Sequence, residues 1–183
     1  MRELSLNILD IITNSVEAEA TRVILVIEEW QTRNLLRVRI RDNGRGMSDD
    51  LMSRVLDPFV TTRTTRSVGM GLSLFRQIAL STDGDLVLQS ALGVGTTVTV
   101  DLRLNHLNRP PLGRISDTVV NLAIGALDVH FYYIHHTESG RMIFDSFRLF
   151  GYMEETGCGL YQTIVPMKEK IQRQLKAIHS SAL

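Results

Sequence analysis

Four short groups of residues in this 183-residue chain have the types and spacing to do chemistry. In the first, Asp10 and Asn14 are four apart and Glu17 follows three later, a spacing that sets them side by side on one helical face. The amide oxygen of Asn14 is a hard ligand suited to Mg²⁺, which keeps several waters and takes its other ligands from phosphates. A carboxylate one turn away, Asp10, can orient or deprotonate an attacking water or hydroxyl. Alone, this face also fits an ordinary solvated helix, although the asparagines Asn7 and Asn14 are poor helix formers.

The second group is Asp42-Asn43-Gly44-Arg45-Gly46-Met47. An ionised aspartate only accepts hydrogen bonds, so Asp42 suits the exocyclic amine of adenine and repels the carbonyl oxygen of guanine. Glycines let a backbone approach a flat ligand and take positive φ. The third group is Pro58-Phe59-Val60-Thr61-Thr62-Arg63, followed by Val68-Gly69-Met70-Gly71-Leu72. A glycine turn opening a helix presents free N–H groups to phosphate, and Arg63 and Arg66 supply charge-assisted donors. The fourth is Gly93-Val94-Gly95-Thr96-Thr97. Taken singly, the last three read as a turn, a loop before a helix, and a hairpin.

The elements that must position these groups follow from periodicity. Arg2 to Ala20 is a helix; Thr21–Trp30 and Leu35–Arg41 are strands. A short helix follows Ser48 and stops at Asp57-Pro58, and a loop over Thr61–Val68 leads to a helix from Gly71 to Leu80. Strands over Leu86–Ser90 and Thr96–Leu104 complete an α-β-β-α-loop-α-β-β order, which predicts an α+β fold with helices layered on a mixed sheet. Arg109-Pro110-Pro111 reads as a linker dividing residues 1–108 from an extension, 109–183. The extension is expected as a helix (Ile115–Leu127), a hairpin (Val129–His135 and Arg141–Phe147, turning at Glu138-Ser139-Gly140) and a helix (Gln162–Ile178).

In this order and spacing the four groups resemble the GHKL ATP-binding domain, the Bergerat fold of histidine kinases, DNA gyrase, MutL-type repair proteins and the heat-shock chaperone ATPase. The resemblance covers about Met1 to Leu104. It implies a two-layer α/β sandwich that binds Mg-ATP. It implies Asn14 as metal ligand, Asp42 as adenine reader and Asp10 as candidate base. Gly44, Gly46 and Met47 match the first glycine box. Phe59, Thr62, Arg63, Gly69, Met70, Gly71 and Leu72 match the lid, with Arg63 at the terminal phosphate. Thr96 matches the residue that backs the adenine aspartate. Three departures stand out. Asp10 replaces the glutamate common in family members that hydrolyse ATP, and Ser67 replaces the first lid glycine. The sequence also starts at the metal-binding helix, with no preceding hairpin to carry a phosphorylated histidine. His106, His130, His135, His136 and His179 all follow the ATP region, none in an acidic phosphoacceptor motif, and His135 and His136 fall at the expected hairpin turn.

The bulk properties fit this reading. Hydrophobic residues are 44% and charged residues 22% of a chain whose 20 Lys+Arg balance 20 Asp+Glu. That balance removes the basic footprint of a nucleic-acid binder. A single cysteine and the lack of an apolar run near ~20 residues lead to an expectation of a cytoplasmic protein with no membrane contact. The closing helix carries one apolar stripe, Ile164, Ile171, Leu175 and Ile178, expected to pack back on the domain. Val129–Tyr133 has strand character without clean alternation, leaving open burial on both faces or pairing with another chain, a homodimer included. The functional expectation is a free-standing regulator that binds Mg-ATP and phosphorylates a protein partner in trans or switches on binding. A non-catalytic nucleotide sensor within a larger, redox-type complex is the alternative.

Overall fold

Leu4, Ile8, Ile11, Ile12 and Ser15 recur at steps of three and four, so helix α1 (Leu4–Glu17) buries one stripe. The computed structural model describes residues 3–55 and 71–181. The first N–H groups of a helix have no partner inside it. Here Leu4 N donates to Pro111 O and Ser5 N to Leu112 O, each at 3.0 Å. The segment expected as a linker is therefore docked on the start of α1, and the two prolines, which lack an N–H where none is needed, leave their carbonyls to accept.

Strands β1 (Arg22–Trp30), β2 (Leu35–Asp42), β3 (Asp85–Ala91) and β4 (Gly95–Arg103) form where alternating apolar residues were read. β5 (His130–Thr137) and β6 (Gly140–Asp145) join the same sheet, giving the order β3-β4-β2-β1-β5-β6. All neighbours are antiparallel except β1 and β5, which run parallel from Arg22 opposite His130 to Glu29 opposite Thr137. This is the expected α+β mixed sheet. The strands contributed by residues beyond 109 lie beside β1, so the extension continues the sheet of the first hundred residues.

One face of the sheet is core: Val23, Leu25, Ile27, Leu36, Val38, Ile40, Val98, Val100, Phe131 and Tyr133 are all almost fully buried there. Against it lie α1, α3 (Gly71–Leu80), α4 (Ile115–Gly125) and α6 (Leu160–Ala177), whose Ile171 and Leu175, with Ile178 just beyond its end, are buried as the apolar stripe required. The opposite face, including Arg22, Arg39, Arg41 and Ile143, keeps solvent exposure. α2 (Asp49–Arg54) starts at Ser48, whose Oγ accepts from Leu51 N.

Three expectations for the extension change. The strand read as reaching Phe147 stops at Asp145, because that side chain accepts from Phe147 N at 3.0 Å and starts α5 (Ser146–Thr156), a helix not anticipated. β5 alternates cleanly between buried and half-buried residues. It lies between β1 and β6, with Phe131, Tyr133, His135 and Thr137 on its core side. His135 lies inside β5, wholly buried, and the turn holds only Glu138 and Ser139. No described helix is long and apolar enough to cross a membrane.

Candidate functional site

Asp42 ends β2 on the core face, 9% exposed. Its Oδ1 accepts from Gly44 N at 2.9 Å and Thr96 N at 3.1 Å, and its Oδ2 from Ser15 Oγ at 2.7 Å. A carboxylate offers about four acceptor sites. Three fixed donors hold the group in one orientation and leave acceptor capacity for one incoming N–H.

The glycines around it sit where the backbone packs closely. A Cβ on Gly44 would lie 2.7 Å from Ala18 O, one on Gly46 2.0 Å from Ala91 O, and one on Gly95 2.2 Å from Asp42 O. Gly46 and Gly95 also have positive φ, +67° and +121°. Their missing side chains let the Asp42–Met47 loop pack directly on α1 and on the β3–β4 turn. Arg45 N donates to Ala18 O and Gly93 N to Arg45 O, and Met47 N donates to Ser90 Oγ. Thr96 backs Asp42 through its backbone N–H, while its hydroxyl meets Ser90 Oγ at 2.9 Å.

Asp10 and Asn14 are both exposed on α1, together with Glu17, whereas Asn7 from the same polar series is buried. α3 begins directly against Asp10: a Cβ on Gly71 would be 3.3 Å from Asp10 Cβ and 3.9 Å from its Oδ2. Leu72, expected at the ligand, is in the core, because the second residue of α3 turns to the sheet. Phe59, Thr62, Arg63, Gly69 and Met70 lie outside the described residues, as do Arg66 and Ser67.

Ser15 and Ser90 were missed. Ser15 had a signal: it occupies the apolar stripe of α1, four residues after Ile11, where a polar side chain must find a buried partner. Ser90 had none, since its bonds to Met47 N, Gly95 O and Thr96 depend on how the loops meet.

A second polar centre was also missed. Glu29, 3% exposed at the far end of β1, accepts from Ser180 Oγ at 2.6 Å and from Ser181 N at 3.0 Å. His135 Nε2 lies 2.6 Å from Glu29 Oε1, and its Nδ1 is 2.5 Å from Tyr133 OH. An ionised glutamate only accepts, so Nε2 donates to it. Burial works against the charge on Glu29. The bonds from His135, Ser180 and Ser181 outweigh it and hold the carboxyl at about 2, below its ordinary 4.5. Burial likewise pushes the Tyr133 hydroxyl up.

The family described as histidine kinase-, DNA gyrase B-, and HSP90-like ATPase matches residues 2–106. The signal transduction histidine-protein kinase AtoS of Escherichia coli is 34% identical over 99 residues, 54% of this chain and 16% of that protein. Histidine protein kinase SaeS of Staphylococcus epidermidis is 30% identical over 88 residues, 45% of this chain and 25% of that protein. The chain thus spans a quarter or less of the length of these curated relatives. Among solved structures, the N-terminal domain of a DNA repair protein superposes with a TM-score of 0.57 at 15% identity, over 78% of this chain and 52% of that one. That is a likeness of fold, and it extends past the family match.

Proposed function

We propose, from the premise that this chain belongs to the histidine kinase-, DNA gyrase B-, and HSP90-like ATPase family, that it binds Mg-ATP and uses it to phosphorylate a protein partner or to switch conformation. The carrying observation is Asp42: a buried carboxylate held by Ser15, Gly44 and Thr96, with acceptor capacity left for the exocyclic amine of adenine. An exposed amide, Asn14, one helical turn from an exposed carboxylate, Asp10, fits a Mg²⁺ that arrives with phosphates, because that ion takes few protein ligands. No group of three His, Cys, Asp or Glu that could hold a metal exists among the described residues, in keeping with an ion that the nucleotide brings. Mg²⁺, when bound, neutralises phosphate charge. Asn14 would hold it, and the Asp10 carboxylate would take the proton of an attacking hydroxyl.

The test is calorimetry with ATP and GTP, with and without Mg²⁺, alongside transfer from [γ-³²P]ATP in cell extract. ATP should bind well and GTP poorly, and equal affinities would refute the adenine assignment. Asp10→Asn should lower turnover by ~10²–10⁴-fold while ATP affinity stays within a few-fold. Unchanged turnover in that variant would remove Asp10 as the base. ATP binding by the unaltered chain with no transfer in extract would favour the nucleotide sensor.

A further inference from the structure

β3 and β6 are the two edges of the sheet. β3 has α2 beside it, and its turn is tied to the Arg45 loop through Gly93 N. β6 is arranged differently. The loop between β5 and β6 is two residues, and the ladder closes on Thr137 opposite Gly140. Such a closing pair exchanges both of its backbone bonds, and bonding alternates along an antiparallel ladder. Gly140, Met142 and Phe144 therefore use their N–H and C=O groups on β5, while Arg141 and Ile143 turn theirs outward. Among the described residues no backbone group outside β5 takes them up. On the open face of the sheet, Arg141 is exposed and Ile143 is 50% exposed.

An unpaired edge recruits another strand unless something blocks it. We infer that β6 pairs antiparallel with β6 of a second copy of this chain, about a two-fold axis at Ile143, to give one continuous twelve-stranded sheet. The side chains select this occupant and this register. Centring on Ile143 places it against the partner's Ile143, sets Arg141 opposite the partner's Asp145, and repeats that pair on the other side of the axis. Centring on Arg141 or on Asp145 opposes like charges. Centring on Met142 sets Arg141 opposite the partner's Ile143, and centring on Phe144 sets Ile143 opposite the partner's Asp145, so neither register forms the ion pair. Asp145 is ready for a second cation, since its contacts with His130 Nε2 at 2.9 Å and Phe147 N at 3.0 Å both fall on Oδ1. An ion pair at such an edge fixes register more than strength. The backbone bonds and the isoleucine pair supply the attraction.

Cross-linking and sedimentation test the assignment. In a Cys158→Ser background, Ile143→Cys places two thiols across a bonded pair, where Cα atoms are ~5.5 Å apart and a disulfide can close. Arg141→Cys leaves its two copies four residues out of register, ~13 Å apart. Copper-phenanthroline oxidation should give a covalent dimer for the first variant and not for the second. Sedimentation equilibrium should show a monomer–dimer equilibrium for the unaltered chain, weakened by ~10-fold or more in Arg141→Glu and in Ile143→Lys. Both positions are exposed, so circular dichroism should stay the same. The inference is overturned by a chain that stays monomeric at millimolar concentration. It is equally overturned by Arg141→Cys cross-linking as well as Ile143→Cys, or by a dimer indifferent to both charge variants.

Discussion

Asp42 and Glu29 sit on neighbouring strands, on the same core face, and nearly at opposite ends of the sheet: Asp42 is opposite Val23, six residues from Glu29 along β1. Both are almost buried carboxylates with several donors. They differ in where the donors come from and in what is left over. Asp42 is held by Ser15, Gly44 and Thr96, all within the first hundred residues, and keeps acceptor capacity. Glu29 is held by His135, Ser180 and Ser181, 106 to 152 residues away along the chain, and its two oxygens are enclosed. The first arrangement suits a ligand. The second ties the C-terminal segment to β1. Burial of a carboxylate is therefore no guide to its use until its donors are traced.

Three measurements would break or sharpen that contrast. The largest effect is expected at Glu29. Glu29→Ala removes the buried acceptor shared by His135, Ser180 and Ser181 and should cost ~3–5 kcal/mol of stability, read from the urea midpoint, while ATP affinity stays within a few-fold. An equal loss of nucleotide binding would show that the two ends are coupled. Next is the acid limb of stability. Glu29 is depressed in the folded chain from 4.5 to about 2, so its contribution is present above pH 4.5 and is lost as pH falls toward 2. The loss, about 3 kcal/mol, should be absent from the acid unfolding curve of Glu29→Gln. The smallest effect is expected at the other end. Asp42→Asn keeps an acceptor for Gly44 and Thr96 but loses the charge, removing ~1.5–3 kcal/mol of ATP binding, a 10- to 150-fold weakening by calorimetry. Its thermal midpoint should move less than that of Glu29→Ala, and a reversal of that order would undo the comparison.

How much of this was legible in the sequence depends on how local each cause is. Alternation in β1, β2 and β4 and the helical period of α1, α3 and α6 depend on neighbouring residues, and those elements appear where the pattern put them. The Asp42 loop was legible because its residues are contiguous. The close packing at its glycines was not, since the atoms next to their Cβ positions belong to Ala18, Ala91 and Asp42 itself. His135 was read as a turn residue because β5 and β6 were judged by their own composition. What makes it a core residue is a glutamate 106 positions earlier. The capping of α5 by Asp145 could have been read, since an aspartate before a helix is a local signal that was passed over in favour of strand character.

The parallel pairing of β1 with β5 also orders events in time. A ribosome adding about 5–20 residues per second delivers β1, β2 and the loop around Asp42 well before it delivers His130–Thr137. During that interval the β1 side that will receive β5 is an unprotected edge, and Glu29 lacks the partners that make its burial tolerable. The nascent chain thus has the whole of one predicted ATP-binding half exposed beside a surface prone to wrong pairing. A chaperone that covers this edge until residues 130–137 emerge would protect the nascent sheet from wrong pairing.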